Sequence, residues 1–140
     1  MLYSRVYEIA KDDFEAAGEA SARIKRKLKQ LGVHAPLIRK IAIASYEAEI
    51  NLIIHSLGGT LTIEIDESQI TIISKDIGPG IPDISLAMTE GYSTAPQTIR
   101  EMGFGAGMGL PNIHRNSDKM TIDSSPAGTT ITMHFDMASA

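Results

Sequence analysis

The apolar positions of the chain change rhythm several times, and each rhythm predicts an element. Between Leu2 and Ala10, Tyr3, Val6, Tyr7 and Ile9 alternate loosely and predict a strand. Asp12 or Asp13 then has the chemistry of a helix N-cap. Phe14, Ala17, Ala20, Ile24, Leu28 and Leu31 follow at helical spacing, and Gly32 stops the run. A second helix is predicted from Ala35 to Ser56, opened by Pro36 and ended by Gly58-Gly59. Its middle, IAIASYEAEINLIIHS, is so largely apolar that both long faces are expected to be buried. Thr60–Asp66 and Gln69–Ser74 alternate, are rich in Ile and Thr, and flank Glu67-Ser68 as a hairpin. A short helix is expected from Asp83 to Thr89. Pro111 is tolerated only in a first helical turn, which predicts a helix from Leu110 to Ser117. Lys119–Ser124 and Thr129–Met137 are the last two strands, around a Ser-Pro-Ala-Gly turn. Strands that come in pairs, rather than alternating one for one with helices, argue for α+β. The expected architecture is a two-layer sandwich with helices on one face of a mixed sheet.

Composition narrows the picture. At 140 residues, the chain is expected to form one domain, residues 1–140. With no cysteine, a disulfide scaffold, a thiolate zinc site and an iron–sulfur cluster are excluded. A net charge of −4 argues against direct nucleic-acid binding by a basic body. No run approaches the roughly 20 apolar residues of a membrane span, and the first residues show no signal-peptide pattern, so a cytoplasmic location is expected. Arg23, Lys25, Arg26, Lys27 and Lys29 crowd the outer face of the first helix. They suit a solvated face with cations toward the negative helix end, or a docking patch for an acidic partner.

Three clusters carry candidate chemistry. Gly103, Gly105, Gly107 and Gly109 alternate with other residues just before Pro111. Such a loop lets backbone N–H groups approach a ligand closely, and the following helix N-terminus favours an anion. No Asp or Glu occurs between Gly103 and Ile113. Met108 and Leu110 break the two Rossmann fingerprint registers, and no Walker Gly-Lys-Ser/Thr triplet occurs. A flexible glycine lid without a ligand is the alternative. Asp76 ends a strand before Gly78 and Gly80; it is either a turn former or a carboxylate at a pocket mouth. An ionised carboxylate only accepts hydrogen bonds, so it would select adenine's amine over guanine's carbonyl. Glu47, Asn51 and His55 form one stripe at i, i+4 and i+8 on the second helix. They either satisfy one another, or Asn51 offers an oxygen to Mg²⁺ while Glu47, about 6 Å along the axis, accepts a proton. Glu49 lies off that stripe and is expected to be exposed.

Taken in order, Glu47-x-x-x-Asn51 on a helix, Asp76-x-Gly78-x-Gly80 after a strand, a glycine-rich loop before a helix, and Gly128-Thr129-Thr130 leading the last strand resemble the GHKL superfamily of ATP-binding domains. This is the Bergerat-type fold of gyrase, histidine kinases and MutL. The resemblance spans about residues 30 to 136. The run EGYSTAPQTIREMGFGAGMGLPNI is similar to the stand-alone bacterial anti-sigma-factor and stressosome-switch serine kinases.

The resemblance implies ATP and Mg²⁺ as ligands, with Asn51 on the metal and Glu47 as general base. It implies that Asp76 reads adenine, with Gly78, Gly80 and Ile81 beside the base and Thr129 assisting, or Thr130 in its place. Gly103, Gly105, Gly107, Met108, Gly109 and Leu110 would wrap the phosphates under a lid spanning Ser85 to Met102. Arg100 would reach the terminal phosphate or remain a solvated surface cation. The implied activity is ATP-dependent phosphorylation of serine or threonine on a small anti-sigma antagonist-like protein. A sigma factor is the second candidate partner, and a homodimer a candidate assembly. The alternative is a nucleotide-gated binding module, or a weak ATPase, without protein phosphorylation. No histidine-bearing dimerisation region or gyrase-type transducer segment occurs in these residues, and His55 and His114 lack a phosphoacceptor context.

Overall fold

The structure, a computed structural model, describes residues 3–54, 58–77 and 109–137. In chain order these form β1 (Tyr3–Ile9), a 3-10 turn (Phe14–Ala16), α1 (Glu19–Gln30), α2 (Ala35–Ile54), β2 (Gly59–Ile65), β3 (Gln69–Asp76), α3 (Gly109–Asn116), β4 (Lys119–Ser125) and β5 (Gly128–Asp136). The expected short helix at Asp83–Thr89 lies outside the described residues. So does the end of the second helix beyond Ile54. No helix among the described residues is long and apolar enough to cross a membrane.

The five strands form one sheet in the order β1-β2-β3-β5-β4. Every neighbouring pair is antiparallel, which corrects the mixed sheet expected from the sequence. The reason lies in the connections. Ile9 at the end of β1 pairs with Gly59 at the start of β2. Two helices, one out and one back, return the chain to the end it left, and β2 therefore enters antiparallel. The Asp12 N–H donates to the Ile53 carbonyl at 3.0 Å and ties the end of α2 to the end of β1. β4 runs in the same direction as β3, yet β5 sits between them and pairs with both.

Strand alternation separates the two faces. Leu61, Ile63, Ile65, Ile70, Ile72, Ile131, Met133 and Phe135 point to one side and are buried beneath the helices. The opposite side carries Thr60, Thr62, Thr130 and Thr132, half-buried. α2 lies over the sheet and packs against α1 on one flank and α3 on the other. Its burial corrects the expectation of two covered faces. Pro36, Arg39, Lys40, Ile43 and Tyr46 are exposed and form a solvent stripe at helical spacing.

α1 stops as its glycine predicts. Gly32 has φ +75°, its N–H reaches the Lys29 carbonyl at 3.1 Å, and the Val33 N–H reaches Leu28 at 3.1 Å. This is a Schellman closure, with Val33 packed on the core that holds Leu28. On the outer face Arg23, Lys25, Arg26 and Lys29 are exposed. Arg23 pairs with Glu19 at 3.0 Å, and the Lys27 ammonium sits 4.6 Å from the Tyr3 ring centre.

The start of α1 differs from expectation. Asp12 and Asp13 precede only the 3-10 turn; the helix proper begins after Gly18, whose φ is +88°. No side chain of its own cap position bonds there. The acceptor comes instead from α2: Glu49 receives the N–H groups of Gly18 at 3.1 Å, Ala20 at 3.2 Å and Ser21 at 3.0 Å. Glu49 is 1% exposed, which overturns its expected exposure. The carboxylate is stabilised in the interior because three orphan donors of a helix N-terminus converge on it. Glu49→Ala is expected to destabilise the fold by about 2–4 kcal/mol, from buried donors left without an acceptor. Urea unfolding followed by circular dichroism checks this, and a parent-like midpoint contradicts it.

Candidate functional site

β3 ends on Asp76, and two glycines on the neighbouring strands come close to it. Gly59 on β2 faces Asp76 in register, and a Cβ there would overlap the Lys75 carbonyl. Gly128, at the start of β5, has φ +148°; a Cβ there would lie 2.5 Å from the Asp76 carbonyl oxygen and 3.1 Å from Oδ1. Only glycine allows both strands to close on this residue. Asp76 Oδ1 accepts the Thr129 N–H at 2.7 Å, a short charge-assisted bond that fixes the carboxylate. The Ile77 N–H donates to the Gly58 carbonyl at 3.3 Å and holds the chain as it leaves the strand.

Alternation puts the two threonines on opposite faces of the sheet. Asp76 shares a face with Ile72 and Ser74, and Thr129 with Ile131, both on the helix side. Thr129 is 4% exposed, and its hydroxyl bonds that of Ser124 at 2.8 Å. Thr130 stands on the opposite face, in register with Lys75 and Asp123, so it does not join the group around Asp76.

α2 places Glu47 and Asn51 one turn apart, both half-buried. Burial pushes the Glu47 carboxyl above its ordinary value, and a hydrogen bond from the Asn112 side chain pulls it partly back. The neighbouring Tyr46 phenol is also raised, first by burial and then by the charges of Glu47 and Glu49. Asn112 lies in α3, which begins at Gly109 and is anchored by Leu110 and Ile113 in the core. Leu110 is 7% exposed, its side chain packed in the core at the start of α3. Asn112 Oδ1 accepts Arg115 Nη1 at 3.1 Å, and its carbonyl accepts Asn116 Nδ2 at 2.8 Å.

Gly78, Gly80, Ile81, Arg100, Gly103, Gly105, Gly107, Met108 and His55 lie outside the described residues. The described part joins Asp76 to Thr129 and brings Glu47 against α3. Sequence reasoning missed three participants. Glu49 continues the spacing Ile41, Ser45, Glu49, Ile53, all buried, and that stripe was the available signal. Asn112 follows a glycine loop in a first helical turn, where a polar side chain facing the preceding helix could have been sought. Ser124 gave no signal of its own.

The donor set fits an adenine nucleotide with a hard cation. Asp76 presents its carboxylate where two glycine-bearing strand ends close on it, and Glu47 and Asn51 carry oxygens one turn apart on α2. Among the described residues no three His, Asp or Glu side chains group as a metal site. A separate cavity of about 250 Å³ lies between the end of β1 and the start of α1, lined by Glu8, Asp13 and Glu19, with Glu49 as its buried wall.

The chain is similar to proteins of known kind. It is 33% identical over 100 residues to the serine/threonine-protein kinase RsbT of Bacillus subtilis, covering 69% of each chain. It is 35% identical over 113 residues to the anti-sigma F factor of Clostridium novyi, covering 76% of each. Among solved structures, the RsbU and RsbW domains of a Mycobacterium tuberculosis protein match with a TM-score of 0.65 at 16% identity, over 95% of this chain and 31% of that longer one. The SiaB–SiaC complex of Pseudomonas aeruginosa matches at 0.59 and 12%, over 94% and 88%. At such identities these two structures speak to the fold alone. Residues 38–139 match the family described as histidine kinase-, DNA gyrase B-, and HSP90-like ATPase. With the antiparallel sheet, the helix-borne Glu47 and Asn51 and the clasped Asp76 already in view, this match over most of the chain means that the protein belongs to the histidine kinase-, DNA gyrase B- and HSP90-like ATPase family.

Proposed function

We propose that this protein binds ATP with Mg²⁺ and transfers a phosphoryl group to a serine or threonine hydroxyl of a small regulatory protein. The observation that carries the reading is Glu47. It is a half-buried carboxylate with raised proton affinity, one turn from Asn51 and facing α3. The similarity to a serine/threonine-protein kinase supports it. The bound nucleotide supplies the γ-phosphoryl group, and its Mg²⁺ neutralises phosphate charge during transfer.

The chain's own residues then have distinct tasks. Asp76 accepts a hydrogen bond from the adenine amine, and its Thr129 partner keeps the carboxylate aimed. Gly78, Gly80 and Ile81 line the base. Asn51 contributes a metal ligand. The N-terminus of α3 and Gly103, Gly105, Gly107 and Gly109 offer N–H groups to the phosphates, and Arg100 a cation. Glu47 takes the proton of the attacking hydroxyl as the new oxygen–phosphorus bond forms and the γ-phosphorus's bond to the β-phosphate oxygen breaks, leaving ADP. Raised basicity is useful here, because a base works best when its pKa approaches the working pH. The partner is an anti-sigma antagonist-like domain, and the setting is the cytoplasm.

A second reading is nucleotide-gated partner binding without transfer, supported by the similarity to an anti-sigma F factor. Glu47 separates the two, since gating needs no base.

Asp76→Asn replaces an acceptor oxygen with a donor, and ATP affinity is expected to fall about 10–100-fold with loss of preference over GTP. Calorimetry checks this; parent-like ATP affinity contradicts the adenine assignment. Glu47→Gln is expected to keep ATP binding and lose phosphotransfer by about 100-fold or more, measured with labelled ATP and the partner. The same carboxylate sets the pH dependence. The base must be ionised, so kcat falls as pH drops through its pKa, with the midpoint above the ordinary 4.5 because burial raises it. A profile flat across that range argues against Glu47 as the base.

A further inference from the structure

The β4–β5 hairpin ends in a tight turn. Ser125 and Gly128 are in register on either side of Pro126 and Ala127, and the Ser125 hydroxyl accepts the Ala127 N–H at 3.2 Å. The next rung pairs Ser124 with Thr129. Both side chains stand on the helix side of the sheet, as Met120 and Ile122 do along β4, and their hydroxyls bond at 2.8 Å. A hydroxyl pair across two strands is an ordinary way to hold a sheet together. What distinguishes this pair is its place. Thr129 also donates its backbone N–H to Asp76 Oδ1 at 2.7 Å, so its hydroxyl lies on the residue that fixes that carboxylate. Thr129 is 4% exposed, and among the described residues Ser124 is the hydrogen-bond partner of its hydroxyl.

A hydroxyl has one proton to donate and two lone pairs to accept with, and a bond between two hydroxyls can run either way. Its sense decides what remains for a ligand. If Thr129 donates to Ser124, only lone pairs are left, and the site presents an acceptor beside the Asp76 acceptor. If Ser124 donates to Thr129, the Thr129 proton is left, and the site presents a donor beside an acceptor. Adenine carries its amine, a donor, next to the ring nitrogen N1, an acceptor. Only the second sense matches that edge. We propose that Ser124 is a positioning residue for base recognition: by donating to the Thr129 hydroxyl, it aims the Thr129 proton at the purine N1 beside the amine that Asp76 receives. The inference rests on the reading of Asp76 as the adenine acceptor and deepens it. Without the Ser124 donor the Thr129 proton can turn elsewhere, and in a nearly buried place an unmet hydrogen bond to the base weakens binding.

The test measures calorimetric binding of three nucleotides with Mg²⁺: ATP, 1-deaza-ATP, in which N1 is replaced by a C–H, and purine riboside triphosphate, which lacks the amine. The parent is expected to prefer ATP over 1-deaza-ATP by about tenfold. In Ser124→Ala that preference falls to about threefold or less, while the preference over purine riboside triphosphate stays within about twofold of the parent's, because the Thr129 backbone N–H still holds Asp76. Thr129→Val removes the N1 preference altogether, and Ser124→Thr, which keeps a hydroxyl, restores it. An N1 preference undiminished in Ser124→Ala overturns the proposal. So does a parent without an N1 preference. Equal loss of both preferences in Ser124→Ala also overturns it, since that is the signature of a displaced strand rather than of a misdirected proton. Should Ser124→Ala fail to fold, Ser124→Cys, close in size and a weak donor, carries the same comparison. A parent that binds ATP and purine riboside triphosphate equally removes the Asp76 reading itself, and that failure shows in a different ligand from failure of the Ser124 assignment.

Discussion

The carboxylate of Asp76, closed between two strands that each meet it with a glycine, is the contact on which this molecule turns. Gly59 and Gly128 let β2 and β5 approach from either side, and the Thr129 N–H holds Oδ1 at 2.7 Å. A larger residue at either glycine would push a strand away and release the carboxylate. An acceptor-only group fixed in this way discriminates by hydrogen-bond sense rather than by size, which is how a small site separates an amine from a carbonyl. The antiparallel sheet matters to function mainly because it delivers β5 beside β3 at this point. Had β4 paired there instead, no glycine-threonine pair would meet Asp76.

α2 is the second constraint, and it performs two tasks on opposite faces. Glu49 receives the N-terminus of α1, and Glu47, two residues earlier, meets α3. The two carboxylates point about 160° apart around the helix if each residue turns about 100°. One is satisfied by backbone donors and serves the fold. The other is half-buried, raised in basicity and served by one amide. The different surroundings, not the residue type, set the two glutamates apart, and the shared helix makes the stability of the α1 junction a condition for holding Glu47 against α3.

Much of this was legible in the residues. The strand pairs, the Gly32 stop, the Glu67-Ser68 hairpin and the α+β class followed from local periodicity and turn chemistry, and the family resemblance followed from ordered motifs rather than any single one. What escaped was non-local. The antiparallel pairing of β3 with β5 depends on which strand is inserted between two others, a decision that no window of sequence contains. The α1 start was placed at Asp12 or Asp13 because a cap was sought next to the helix, whereas the acceptor arrives from Glu49, far along the chain. Thr129 and Thr130 could not be separated until the register showed which of them shares a face with Asp76.

The measurement that most directly tests the central claim leaves the protein unaltered and changes the ligand. Calorimetric binding of ATP is compared with that of purine riboside triphosphate, which lacks only the exocyclic amine. If Asp76 receives that amine, ATP binds about tenfold or more tightly than its deaminated counterpart. Equal affinity for the two nucleotides would contradict the account, because the clasped carboxylate would then have no part in recognising the base.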